Sequence, residues 1–344
     1  MRKTVLTLLL TASLVIADQS NAHPEHYPAP TTVSSQLAQS INASSAELWL
    51  NKPKSTQEWQ AIAKDYTQKS GQAALAAAKS NHVNVEETRI ANVPVFTLTP
   101  EKIDKTKSDK VIYYIHGGGY ILGHGVGQIS EALPLVAKYG YRVVSVDYRM
   151  APDHPFPAAI DDTFAVYREL VKTYGAKNIA VYGTSTGGAL TLILALQASQ
   201  NNVAQPAALI AGTPWSDMDK IGDSYFTNEK LDNILTTYDA LVGYAAAVYS
   251  NGHNLKDPLI SPVYAKAEDL RQFPATLLIS GTRDLFLSNT VRMHKRLLME
   301  NVHAELVVYE AMSHAQYYLN PNAPETADHY KILKLFLDRT LLPM

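Results

Sequence analysis

The residues Asn178-Ile179-Ala180-Val181-Tyr182 are followed by Gly183-Thr184-Ser185-Thr186-Gly187 and then by the apolar run Gly188-Ala189-Leu190-Thr191-Leu192-Ile193-Leu194. The first five residues read as a short β-rich strand, and residues 186–199 have the length and composition of a helix. A serine between them, with glycine two residues to either side, marks a sharp strand-to-helix turn. The chain folds tightly around such a serine, so its neighbours must be small. Its hydroxyl then projects at a helix N-terminus, where free amides favour negative charge. With this chain's Gly and Ser frequencies the pattern arises by chance in roughly one chain in twenty. Its place between strand and helix is what gives it weight.

Outward from that turn, short strands alternate with longer helical patterns from about Val111 onward. Strands are expected at 111–115, 142–146, 178–182, 207–211, 275–280 and 305–309, and helices at 129–139, 157–174, 186–199, 289–301 and 325–339. Strict alternation implies an α/β chain with a mostly parallel central sheet and helices on both faces. Ligands of such sheets gather at the carboxyl ends of the strands, so the polar residues just after the strands matter most.

Three places qualify. His116-Gly117-Gly118-Gly119-Tyr120 follows the strand 111–115, and three successive glycines leave backbone amides unshielded. Such amides suit a developing oxyanion, whereas no Lys-Ser/Thr ending or dinucleotide spacing is present. His116 itself is expected to bond loop backbone, a structural task it shares with Gly117. Asp284, in Ser280-Gly281-Thr282-Arg283-Asp284, follows the strand 275–280, and His314, in Met312-Ser313-His314-Ala315, follows 305–309. A serine hydroxyl needs a base to take its proton and an acid to orient that base. Ser185, Asp284 and His314 stand at one sheet edge in the chain order Ser, Asp, His. A neutral imidazole is required for this work, so activity is expected to rise with pH through the imidazole range.

Two stretches break the alternation, and both are read as parts of a mainly helical cap over that edge. The expected organisation is an N-terminal cap segment at 23–83, core at 84–214, a cap insertion at 215–262 with helical character around 231–249, and core again at 263–344. Among the cap aromatics, Trp49, Trp59, Trp215, Tyr225, Phe226, Tyr238, Tyr244 and Tyr249, some are candidates for a substrate wall, though packing accounts for most. Asp147, Arg149, His154, Asp161, Asp162 and Asp257 are read as structural, and Arg283 as an ion-pair partner of Asp284.

Chain-wide properties narrow the classes. With 344 residues and 46% apolar content a large core is available. A formal net charge of -2, without runs of one sign, argues against nucleic acid. No basic amphipathic stretch suggests membrane-surface binding. Arg2 and Lys3, the apolar stretch 5–16 and small residues Ser20 and Ala22 read as an export signal over residues 1–22, cut before His23, with Val15 and Ala17 as an earlier alternative. A periplasmic or secreted protein is expected, with no stable membrane insertion. The chain has no cysteine, which excludes disulfides and thiolate metal sites. His23 and His26 lack a third ligand at a recognisable spacing.

The motifs together resemble the hormone-sensitive-lipase-like esterases of the α/β-hydrolase fold, in the subgroup with Gly-Thr-Ser at the turn. The likeness runs from about Val111 to the C-terminus. It rests on His116–Gly119, on Asp147-Tyr148-Arg149-Met150-Ala151-Pro152, and on His154-Pro155-Phe156-Pro157-Ala158-Ala159. It extends through 183–188, 257–262, 281–285 and Ser313-His314. The resemblance implies a carboxylesterase that forms an acyl-enzyme on short- to medium-chain esters. Its oxyanion hole would comprise the amides of Gly118, Gly119 and Thr186, and it would need no cofactor and no metal. Thr186 stands where alanine is commoner and adds bulk near the oxyanion. Two alternatives stand beside this reading. A lactonase would use the same triad, and a non-catalytic binding protein would keep the fold but tend to lose the histidine. The expected partner is a small ester or lactone, with the chain a monomer or homodimer.

Overall fold

A computed structural model describes residues 27–50 and 52–342. The export signal expected at 1–22, and His23 and His26, lie outside the described residues. Eight strands form one sheet: β1 (Val83–Ile90), β2 (Val93–Pro100), β3 (Val111–Ile115), β4 (Arg142–Val146), β5 (Ile179–Thr184), β6 (Ala208–Gly212), β7 (Ala275–Gly281) and β8 (Ala304–Tyr309). Their spatial order is β1-β2-β4-β3-β5-β6-β7-β8. All pairings from β4 to β8 are parallel, whereas β1 pairs with β2, and β2 with β4, antiparallel.

Strand alternation divides the core into two layers. Val111, Tyr113, Ile115, Ile179, Val181 and Leu209 face one side with the helices Ala158–Tyr174, Thr186–Gln200 and Leu287–Met299. Ile112, Tyr114, Ala180, Tyr182 and Ile210 face the other, with Leu133–Ala137 and Pro324–Leu341. Strands covered on both faces read as near-continuous apolar runs, which is why 111–115 and 179–182 stand out in the sequence.

Four expectations need correction. Sequence reading assigns no strand before Val111, yet β1 and β2 form a full antiparallel hairpin turning at Ala91 and Asn92, both at positive φ. β1 is mostly exposed and carries Glu86, Glu87, Thr88 and Arg89 in succession, so it lacks the apolar signal of the inner strands. The helix expected at 129–139 divides into a tight turn Val126–Glu131 and a short helix Leu133–Ala137. In the insertion, 231–236 folds as turns, and helix appears only through a wide turn at Tyr238–Val242 into Gly243–Ser250. Arg283 makes no ion pair with Asp284; its guanidinium donates to the carbonyls of Tyr27 and Pro28 at 3.0 and 2.8 Å.

The N-terminal segment meets the insertion directly. The helix Thr56–Ser80 begins at an N-cap, Ser55, whose hydroxyl accepts from Glu58 N, and buries Trp59 against Tyr244 with ring centroids 6.1 Å apart. Ala46 N donates to Asn233 O at 2.9 Å.

Candidate active site

Ser185 sits between β5 and the helix Thr186–Gln200 with φ 62° and ψ −121°, a left-handed backbone that costs a non-glycine residue about 1–3 kcal/mol. The surrounding backbone holds it there. Ser185 N donates to Gly212 O at 2.8 Å, and Ser185 O accepts from Ala189 N and Trp215 N. A Cβ at Gly187 would stand 2.0 Å from Ile115 O, so the close passage of the helix over β3 requires glycine.

The glycine loop after β3 lies against this turn. A Cβ added at Gly117 would approach the Ser185 Cβ to 3.1 Å. Gly118 and Gly119 have φ of 117° and 67°, which turns the loop back on itself, with Leu122 N bonded to Gly118 O. His116 is buried, its Nδ1 2.7 Å from Gly117 O and its ring stacked 4.2 Å from Tyr148. Burial lowers its pKa to about 4, so it is a neutral structural ring.

Asp284 is fully buried after β7. Its Oδ1 lies 3.0 Å from His314 Nδ1 and accepts from Phe286 N at 2.8 Å, while its Oδ2 accepts from Ser280 Oγ at 2.7 Å. A carboxylate so provided with donors is a fixed hydrogen-bond acceptor for the imidazole. His314 also packs edge-on against Phe286, with centroids 4.8 Å apart. With its Nδ1–H on Asp284, the imidazole leaves Nε2 as the basic nitrogen. Ser185, His314, Gly117 and Gly118 all line one cavity of about 370 Å³, together with Trp49, Tyr66, Leu235, Tyr318 and Leu319. Two larger grooves, of about 660 and 690 Å³, are lined by none of Ser185, Asp284 and His314, and the second adjoins the cavity through Tyr66 and Ser70.

Four neighbours of the site are absent from the sequence reading. Thr213, a β-branched residue at φ 34°, places Oγ1 2.6 Å from His314 Nδ1. Glu131 is buried and accepts from Tyr114, Tyr182 and Thr184 hydroxyls, and burial raises its pKa. Asn228 and Asp232, from the insertion, bond the loops that carry Asp284 and His314. Only Glu131 leaves a trace in the sequence, as an acid within the apolar stretch 129–136.

Of the eight cap aromatics, Trp49 lines the cavity. Trp215 and Tyr225 are buried around Phe286, Tyr249 stacks on Tyr120, and Phe226 is 61% exposed. Arg149 grips Asp162 through Nε and Nη2 at 2.9 and 2.8 Å, and Asp147 takes Gly125 N and the His124 ring. Among the described residues no group of three or more His, Asp or Glu is placed to hold a metal. None of the described helices is long and apolar enough to cross a membrane.

The model of the α/β-hydrolase fold family matches residues 112–318. An esterase of Acinetobacter venetianus is 30% identical over 209 residues, covering 60% of this chain and 68% of the relative. The crystal structure of the esterase E25 is 40% identical and superposes with a TM-score of 0.86 over 93% of this chain and 98% of that one. A second crystal structure, of an esterase from the bacterial hormone-sensitive lipase family, is 28% identical with a TM-score of 0.76 over 90% and 99% of the two chains. The chain belongs to the α/β-hydrolase fold family, among the esterases related to hormone-sensitive lipase. It is an enzyme of the esterase kind.

Proposed function

We propose that the chain is an exported serine carboxylesterase that cleaves short- to medium-chain esters through an acyl-enzyme. The observation that carries this reading is the shared cavity: Ser185 and His314 open onto it beside the glycine loop, and buried Asp284 stands behind the imidazole. Ser185 Oγ attacks the ester carbonyl carbon while its proton passes to His314 Nε2. The carbonyl oxygen becomes an oxyanion held by the amides of Gly118, Gly119 and Thr186, each donor contributing about 3 kcal/mol to the transition state. Thr186 N opens a helix, which adds the favourable end of the helix dipole. The C–O bond to the alcohol breaks, and the alcohol leaves with the proton from His314. Water then gives its proton to His314 and attacks the acyl carbon; the bond to Ser185 Oγ breaks, Oγ takes the proton back from His314, and the acid is released.

A cavity of about 370 Å³ walled by Trp49, Leu235, Tyr318 and Leu319 suits a small ester. Tyr66 and Ser70 line both this cavity and the adjoining groove of about 690 Å³, which gives a route from the cap surface to Ser185. Hydrolysis of p-nitrophenyl esters from acetyl to palmitoyl tests the reading. The expected optimum falls among the shorter chains, and a preference for palmitoyl would contradict it.

A further inference from the structure

Asp232 belongs to the cap insertion, yet its carboxylate is fully buried against the triad loops. Oδ1 accepts from Ile234 N and Leu235 N at 2.9 and 3.0 Å, which closes its own turn. Oδ2 accepts from Leu285 N at 2.9 Å and His314 N at 3.3 Å, the residue after one triad member and the backbone of another. The residues around it reinforce the same attachment. Asn228 Nδ2 donates to the carbonyls of Thr282 and Asp284 at 3.2 and 2.8 Å. Asn233 N donates to Ser313 Oγ, whose hydroxyl donates to Asn233 Oδ1 at 2.8 Å, and Asn233 Nδ2 reaches Ser40 O of the N-terminal segment at 2.8 Å. One stretch of insertion thus bonds the β7 loop, the β8 loop and the N-terminal segment together.

We infer that Asp232 is a positioning residue of the triad: its carboxylate fixes the Asp284 and His314 loops relative to one another and sets a second negative charge beside the imidazolium formed during turnover. The cap insertion is then part of the catalytic frame as well as a wall of the cavity. A buried carboxylate held by four backbone amides is a rigid joint, and its charge acts at short range in a site screened from water. The acids facing His314 are Asp284 from the β7 loop, Asp232 from the insertion and Glu131 from the turn after the glycine loop; burial, and then the neighbouring Asp284, push Asp232 up to about 6, so its charge is present above that pH, and burial raises Glu131 as well. Thr213 adds a neutral hydroxyl. Asp232 is the one of the three acids that bonds the His314 backbone.

The inference rests on the proposed Ser185–His314–Asp284 reading, so its test runs beside wild type and Ser185→Ala on p-nitrophenyl acetate. Asp232→Asn keeps the shape, removes the charge and turns one acceptor into a donor. Its kcat is expected to fall about 10- to 100-fold with KM within about twofold, and the acid limb of kcat/KM to move about half a unit or more toward lower pH. Asp232→Glu keeps the charge but displaces it, so kcat falls while the acid limb stays. If one variant is not recovered folded by near-UV circular dichroism, the other decides. An Asn variant with wild-type kcat, or one that loses activity evenly at every pH, overturns the inference, as does a Glu variant with wild-type kcat. Turnover retained in Ser185→Ala would instead overturn the underlying triad reading.

Discussion

His314 Nδ1 lies 3.0 Å from Asp284 Oδ1, and Phe286 N and Ser280 Oγ donate to the same carboxylate at 2.8 and 2.7 Å, holding it in place. The carboxylate therefore fixes the imidazole tautomer. In Asp284→Asn the amide donates to Nδ1 and the proton moves to Nε2, where it blocks base catalysis. We expect kcat to fall roughly 10²- to 10⁴-fold with little change in KM, read by steady-state kinetics on p-nitrophenyl butyrate. A loss of under tenfold would contradict the assigned orientation.

Arg149 and Asp162 form a bidentate pair next to the loop that follows β4, with Asp162 buried and Arg149 half exposed. Asp162 also accepts from Arg149 N, so removing its charge leaves a backbone donor poorly met. Asp162→Asn should destabilise the protein by roughly 1–3 kcal/mol, discounted for the exposed guanidinium. Urea unfolding measures this, and kcat per folded molecule should be unchanged.

His329 is buried among Tyr309, Tyr317 and Tyr330, and burial pulls its pKa down to about 3. The unfolded imidazole takes a proton near its ordinary value of about 6.5, which the folded one refuses. Stability is thus full above that value and is lost as pH falls toward 3, by roughly 2 kcal/mol at pH 5 from this residue alone. His116, lowered to about 4, acts in the same direction. Urea midpoints at pH 7 and pH 5 should diverge less in His329→Phe than in wild type. Equal divergence would place the acid sensitivity elsewhere.

Leu319 and Leu235 border the cavity beside Ser185. Shortening either to alanine lengthens the space open to an acyl chain. The optimum in a p-nitrophenyl ester series should move by about two or more carbons toward longer chains, since each buried methylene contributes roughly 0.8 kcal/mol. An unmoved optimum would put the acyl group in the adjoining groove instead.

The proposed export of the chain rests on Arg2 and Lys3, the apolar stretch 5–16 and the small residues Ser20 and Ala22. Expression in a bacterial host with an intact export system should yield a mature chain beginning at His23, read by mass spectrometry. A chain that keeps its leader through fractionation would contradict export.

The parts of the fold legible in the sequence are those buried on both faces. The inner strands announce themselves because every residue of 111–115 is apolar and buried, and the turn at Ser185 because its glycines are dictated by backbone contact. β1, with Glu86, Glu87 and Arg89 toward solvent, has no such signature and depends on pairing with β2. Asp284 and His314 are legible as polar residues that follow strands. Asp232 and Asn228 are not, because they act through backbone amides and carbonyls that any small polar residue can reach, and Thr213 is not, because its hydroxyl meets the His314 ring from a loop with no motif around it. The Arg283 reading failed for a similar reason: adjacency in sequence puts neighbouring side chains on different sides of a loop, and Arg283 reaches outward to carbonyls of the N-terminal segment.

The central claim is that Ser185 is the nucleophile of an esterase. It is tested most directly by p-nitrophenyl butyrate hydrolysis with wild type and Ser185→Ala side by side, after both are shown to be folded. Loss of several orders of magnitude in kcat, with the fold intact, is the predicted result. Turnover within tenfold of wild type in Ser185→Ala would contradict it.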